Sequence, residues 1–247
     1  MPSIEPSPGR EPEVSVVLPT FREALTLPLV IPQLAGVLEE SSLSAEVLVV
    51  DDASPDGTAE VARRLAETFP VRVLEREGER GLATAVLAGF QAARGEICVV
   101  MDADGSHPPE TVPALVARVR SGDAEIAVGS RHLDGGGFRS GSLSSRLISR
   151  FAATFARRLS PLTDPTSGFM AIRKELLDDL DLDPVGWKIV LEIVVKAQPR
   201  PVAEVPILFD PRRAGHSKQS PRVFLEYLLH CWRLRHYRQR ERHRPRS

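Results

Sequence analysis

Asp102-Ala103-Asp104 sets two carboxylates two residues apart, directly after the apolar run Ile97–Met101. An apolar run that ends in acids is the pattern of a buried strand whose carboxyl end opens into a crevice, and the diverging chain there can turn both side chains into the same space. Two such carboxylates suit a hard divalent cation, Mg²⁺ or Mn²⁺, which diphosphate oxygens would bridge in turn. Taken alone, the motif also reads as a turn before the helix announced by Pro108-Pro109-Glu110. Repetition tips the balance, because the apolar run Val47–Val50 likewise ends in acids, Asp51 and Asp52. Ser54 to Thr58 read as turn and helix cap. A turn does not need two successive carboxylates, so Asp52 is a candidate to hydrogen-bond a base or ribose.

Arg131, Arg212 and Lys218 are the candidate cations for phosphate, arginine offering a planar fork and lysine a mobile point charge. A solvated surface charge is the bland alternative for each, and Arg131 escapes it by standing just beyond the apolar run Ile126–Gly129. His107, before two prolines, reads as a helix-start or supporting residue, and His216 as a loop residue. Spacing gives no Ser-His-Asp or Cys-His constellation. No GxGxxG follows the first apolar run and no Walker A sequence occurs, so hydrolase and dehydrogenase readings lose ground.

The elements that must position these residues alternate along the chain. Val14–Leu18, ending at Pro19, predicts a strand; Leu25 to Glu39 predicts a helix through Leu27, Val30, Ile31, Leu34 and Leu38, with Pro28 and Pro32 disturbing its first turns. Val47–Val50, Val71–Leu74, Ile97–Met101 and Ile126–Gly129 predict further strands. Helices are expected to open at Asp56-Gly57-Thr58 and to cover Gly81–Ala93 and Thr111–Val119. Such alternation gives an α/β fold, an open and mainly parallel sheet with helices on both faces. Its ligand crevice lies beyond the carboxyl ends of the strands, where Pro19 to Glu23, Asp51-Asp52, Asp102–Asp104 and Ser130-Arg131 would converge.

After residue 134 the pattern changes. Gly135-Gly136-Gly137 predicts a loop, and Leu143 to Leu159 a basic amphipathic helix. A strand near Phe169–Ile172, a helix near Ile189–Val195 and a strand near Val202–Phe209 follow. A last helix is expected from about Val223, its apolar Phe224, Leu225, Leu228, Leu229, Trp232 and Leu234 leading into a run of arginines from Arg233 to Arg246.

With 247 residues and 42% hydrophobic content the chain can bury one large α/β core, and a net charge of -1 gives it no overall field for nucleic acid. Cys98 and Cys231 form no CxxC pair, which points to a reducing compartment rather than a disulfide or zinc framework. Residues 1–13 read as a loose tail with no signal sequence, residues 14–218 as the catalytic domain and residues 219–247 as a basic amphipathic helix and tail. No run approaches the ~20 apolar residues of a membrane span. Membrane contact would then be peripheral, through basic clusters on an anionic surface.

The segments PTFREALTLPLV, VVDDASPDGT, GLATAVLAGF, MDADGSHPPE, VGSR, DPTSGFMAIRKELL, WKIVLEIVVKA and EVPILFDPRRAGHSK together resemble the dolichol-phosphate or polyprenol-phosphate mannose synthases. The resemblance covers Val14 to Lys218. It implies an inverting family-two glycosyltransferase of the GT-A fold, with GDP-mannose or another nucleotide sugar as donor and a polyprenyl or dolichyl monophosphate as acceptor. It also implies work at the cytoplasmic face of a membrane, with room for a membrane-embedded partner subunit. Carried over by motif, Pro19, Phe21, Glu23, Val50 and Asp52 would meet the nucleotide and diphosphate, and Asp102, Ala103 and Asp104 would supply the metal-bearing motif, with Ser106 near the ion. Arg131, Arg212 and Lys218 match phosphate-binding cations, and Ser149 a position near the acceptor phosphate. Phe21 stands where the family more often has Tyr. Ser145 stands where basic residues are common, which moves the acceptor-phosphate role to Arg146.

Overall fold

The computed structural model of the chain describes residues 11–78, 80–139, 156–183, 188–210 and 221–242. Arg146, Ser149, Arg212 and Lys218, and most of the helix expected over Leu143 to Leu159, lie outside the described residues.

The chain runs β1 (Val14–Thr20), α1 (Leu27–Glu40), β2 (Ala45–Asp51), α2 (Thr58–Leu65), β3 (Val71–Glu75), α3 (Leu82–Ala92) and β4 (Ile97–Val100). A short 3₁₀ turn at Pro109–Thr111 then leads into α4 (Val112–Arg120) and β5 (Ile126–Ser130). Next come β6 (Gly137–Phe138), β7 (Met170–Arg173), α5 (Lys174–Asp178), α6 (Ile189–Lys196), β8 (Val202–Pro206), β9 (Leu208–Phe209) and α7 (Pro221–Arg242). Seven strands form one sheet in the order β3-β2-β1-β4-β7-β5-β8, and β6 pairs with β9 in a small separate sheet. Strand β1 is buried at all its positions because both its faces are covered, which is why it reads as a continuous apolar run. Val14, Val16 and Leu18 face the layer that includes α1 and α4, while Val17 faces the layer of α3, α5 and α6.

The expected alternation holds from β1 to β5, and Pro28 and Pro32 are both accommodated in α1, the first in its opening turn. One strand departs from the parallel scheme. β7 lies in the middle of the sheet and runs antiparallel to both β4 and β5, with Met170 opposite both Val100 and Val128. The segment that precedes β7 therefore arrives at the same end of the sheet as the carboxyl ends of its parallel neighbours. The run expected as one strand over Val202–Phe209 breaks after Pro206 into β8 and β9.

Helix α7 packs one stripe on α6, where Tyr227, Cys231 and Leu234 join Leu191 and Val195 in a third apolar cluster. Leu234 is thus covered by the domain itself, while Leu229 and Trp232 remain 53% and 61% exposed. No helix among the described residues is long and apolar enough to cross a membrane.

Candidate active site

The first wall of the crevice is built at the ends of β1 and β2. Thr20 Oγ1 donates to Asp51 Oδ1 at 2.9 Å and to the Val50 carbonyl at 3.2 Å. Asp51, fully buried, also accepts from the Ser54 amide at 2.8 Å and its hydroxyl at 2.6 Å. Asp51 is therefore the carboxylate of the turn. Asp52 does something else: its Oδ1 accepts from Arg76 Nε at 2.8 Å and Nη2 at 2.5 Å, and its Oδ2 from the Gly81 amide at 2.9 Å. Phe21 lies beneath two guanidinium groups, with Arg22 and Arg80 at 5.4 and 5.1 Å from its ring centroid. Glu23 accepts from Thr26 Oγ1 at 2.7 Å, and its own amide donates to Thr58 Oγ1 at 3.0 Å. Pro19, Val50 and Ala103 are buried, and the side chains of Val50 and Ala103 belong to the core, so those two residues offer a ligand only main-chain atoms.

The second wall follows β4. The Asp102 side chain keeps 31% exposure, whereas Asp104 is buried and accepts the Ser106 amide on Oδ1 at 2.9 Å. The Ser106 hydroxyl is buried with no hydrogen-bond partner among the described residues, an uncommon and costly state for a native hydroxyl. Two carboxylates and an orphaned hydroxyl are hard oxygen donors that fit Mg²⁺ or Mn²⁺. Among the described residues no three His, Cys, Asp or Glu side chains gather into a complete cage, so such an ion would share its remaining positions with a ligand.

His107 supports this wall. Its Nδ1 accepts the Asp102 amide at 3.0 Å, which fixes the neutral ring with its proton on Nε2. Burial pushes its pKa down, and the cations Arg131 and Lys188 add to that, against the pull of Asp102 and Asp104. The ring stacks on Phe169 at 4.9 Å and meets the edge of Phe209 at 5.5 Å. Gly168 borders the same space: a Cβ there would lie 3.8 Å from Asp102 Oδ1.

The third wall centres on Arg131, just past β5. Its Nε donates to Asp164 Oδ2 at 2.6 Å, and its Nη2 to Asp164 Oδ1 at 2.8 Å and to Thr166 Oγ1 at 2.7 Å. The guanidinium lies 5.2 Å from the Phe138 ring and 5.3 Å from that of Phe209, one aromatic from each strand of the small sheet. Asp164 is fully buried, and although burial alone would raise its pKa, the hydrogen bonds and charge of Arg131 hold it far below the usual carboxylate range. Glu204 of β8 fixes the loop in turn, accepting from the Thr163 amide at 2.9 Å and its hydroxyl at 2.8 Å. Lys188 Nζ donates to the Thr166 carbonyl at 2.6 Å, and burial first, then Arg131, pushes its pKa down to about 8.

The structure thus brings Asp102, Asp104, Ser106 and Arg131 to one end of the sheet, with Phe209 touching both His107 and Arg131. Sequence reasoning missed Arg76, Asp164 and Lys188. Asp164 opens the segment DPTSGF before β7, and an acid ahead of an apolar run was the signal, read only at strand carboxyl ends.

The glycosyl transferase family 2 model matches residues 15–181, most of the sheet and three walls of the crevice. The chain belongs to that family. Its relatives within it include the dolichol-phosphate mannosyltransferase of Pyrococcus furiosus, 40% identical over 226 residues that make up 90% of this chain and 63% of that one. The dolichol-phosphate mannosyltransferase of Saccharomyces cerevisiae is 39% identical over 87% of this chain and 84% of its own. This family-two chain accordingly spans less than two thirds of the Pyrococcus relative's length. Its GT-A fold is shared with glucosyl-3-phosphoglycerate synthase of Mycobacterium tuberculosis, crystallised with Mn²⁺, UDP and glucosyl-3-phosphoglycerate. The TM-score is 0.64 at 22% identity, covering 92% of this chain and 80% of that one.

Proposed function

We propose that this glycosyltransferase transfers mannose from GDP-mannose to a polyprenyl or dolichyl monophosphate with inversion, at the cytoplasmic face of a membrane. The observation that carries the reading is the meeting of an acidic wall, Asp102 and Asp104, with a cationic one, Arg131 and Lys188, joined through the ring of Phe209. One wall suits a metal-bound diphosphate and the other a second phosphate. The names of the relatives supply the sugar and the lipid class.

A phosphate monoester has a second pKa of about 6, so near neutral pH the acceptor oxygen is already an anion. No side chain need act as general base. The work left to the protein is to hold two anionic groups together and stabilise the charge that leaves, a matter of positioning and electrostatics. Asp102, Asp104 and Ser106 would hold the divalent ion, which when bound neutralises charge on the departing diphosphate. Arg131, immobilised by Asp164, presents its guanidinium edge between the two phosphates without reorganising. Pro19, Phe21, Glu23 and Asp52 line the nucleotide end, with the main chain of Val50 and Ala103. The roles of Arg212, Lys218, Arg146 and Ser149 rest on the family resemblance. Helix α7 would carry the contact with an anionic leaflet.

The test is to incubate the full chain with Mg²⁺ or Mn²⁺, a polyprenyl phosphate and a panel of GDP- and UDP-sugars, and to read the lipids by mass spectrometry. A β-linked mannosyl phospholipid formed from GDP-mannose is the expected product. A hexosyl or aminosugar lipid formed only from a UDP-sugar would overturn the donor assignment.

A further inference from the structure

The transfer reading uses Arg131 as its fixed cation, but a second cation stands beside it. Arg131 and Lys188 converge on one residue: the guanidinium donates to the Thr166 hydroxyl at 2.7 Å and the ammonium to the Thr166 carbonyl at 2.6 Å. The two are far apart in sequence, one just past β5 and the other at the opening of α6. Tyr227 and Cys231 of α7 pack behind α6. The Lys188 side chain is aimed by its bond to Thr166.

The charges do not balance locally. Asp164 is taken up by the fork of Arg131, and among the described residues no carboxylate oxygen lies within ion-pair distance of the Lys188 ammonium. Asp102 and Asp104 would be neutralised by a divalent ion. Counting Arg131, Lys188 and the divalent ion against Asp102, Asp104 and Asp164, one positive charge is left over in a partly buried place. An ammonium partly withdrawn from water with no carboxylate in contact is costly, and an arriving anion offsets that cost. The lowered pKa of Lys188, caused by burial and by Arg131, is what an ammonium awaiting its counter-ion would have. An ammonium with one N–H on a carbonyl still has two to give.

We propose that Lys188 is a second phosphate-binding cation, seated beside Arg131 so that the pair receives one phosphoryl group of a substrate. The proposal rests on the transfer reading for the identity of that substrate, and the phosphoryl group belongs either to the donor diphosphate or to the acceptor monoester.

Lys188→Met and Lys188→Arg, in the full chain, test it by calorimetric titration with GDP in Mg²⁺ and, separately, with farnesyl phosphate. Loss of one charge-assisted contact is expected to weaken at least one of these ligands about tenfold in Lys188→Met, with much of it regained in Lys188→Arg. A loss confined to GDP assigns the donor diphosphate, and one confined to farnesyl phosphate the acceptor. Unchanged affinity for both in Lys188→Met, or equal loss in the two variants although the arginine keeps the charge, overturns the proposal. Should Lys188→Met fail to fold, acetylation of Lys188 in the wild-type protein, followed by mass spectrometry at a pH above about 8, replaces it. Inorganic pyrophosphate should slow that reaction severalfold relative to chloride at equal ionic strength, and equal rates overturn the proposal. If Lys188→Met weakens GDP but the wild-type protein makes no mannosyl lipid, the phosphate seat stands and the mannose reading falls.

Discussion

The Arg131 guanidinium grips the Asp164 carboxylate with two parallel N–H···O bonds, 2.6 Å from Nε to Oδ2 and 2.8 Å from Nη2 to Oδ1. Asp164 itself has no exposed surface, so the pair is worth more as a positioning device than as a stabilising one. Asp164→Ala leaves a buried cation without its partner and should lower stability by about 3 kcal/mol, with kcat falling more than KM for either substrate. Thermal unfolding and steady-state kinetics check both halves. Because folding lowers the Asp164 pKa, its stabilisation is fully present above the ordinary carboxylate range and is lost only in strong acid. The wild-type protein should therefore lose nothing from this pair across the neutral and mildly acidic range.

Asp104→Asn should abolish most transfer and leave the fold intact. An asparagine oxygen can still accept the Ser106 amide, so the local turn survives while one hard anionic donor disappears. Turnover unchanged at saturating Mn²⁺ would show that Asp104 does not serve the ion.

Glu46, remote from the crevice, supplies a structural control. Burial raises its pKa, but bonds from Ser15, Arg72 and the Arg94 amide, with the Arg72 charge, outweigh that and leave it lowered. A lowered folded value means stability present above the unfolded pKa of about 4.3 and lost as pH falls through the folded one. Glu46→Gln should reduce stability at neutral pH and flatten the acid limb of the unfolding curve, with transfer per folded molecule unchanged. Denaturant melts at a series of pH values read this directly.

Gly89 marks where α3 crosses the sheet. A Cβ there would lie 2.4 Å from Val17 Cγ1 and 3.1 Å from Val50 Cγ2, so Gly89→Ala should cost about 1–3 kcal/mol by overpacking. A melting temperature equal to wild type would show that the helix can shift outward.

The membrane contact is tested best by substitution. Truncation beyond Trp232 would also remove Leu234, which is buried against α6, and so would confuse anchoring with folding. Arg235 and Arg240 are exposed, and replacing both with Gln should weaken sedimentation with anionic vesicles about fivefold per cation at low salt, with little change in melting temperature. Equal binding by wild type and variant would remove these arginines from the anchor.

How far the sequence could be read follows from the direction of the strands. β1, β2, β4 and β5 are parallel, buried on both faces and end at the crevice, so each announces itself as an apolar run followed by Pro19, Asp51, Asp102 or Arg131. β7 is antiparallel and shows the crevice its beginning, which hid Asp164 and Thr166. Lys188 enters through a helix start, which has no such signature, while Arg76 stands past the apolar run Val71–Leu74 at a strand end whose following residues were not read. In the pair Asp51-Asp52 the sequence set Asp52 apart from the turn, and the bonds from Thr20 and Ser54 to Asp51 agree. The bonds of Asp52 to Arg76 and the Gly81 amide had no signal in the sequence.

The two thiols occupy different depths of this architecture. Cys98 is fully buried in β4, and burial pushes its pKa up to about 12, whereas Cys231, on the face of α7 that packs against α6, is 7% exposed. An alkylating reagent can reach Cys231 once α7 lifts from α6, but reaches Cys98 only when the sheet itself opens. The ratio of the two labelling rates is thus an internal gauge, requiring no engineered probe, that separates detachment of the basic helix from unfolding of the catalytic sheet.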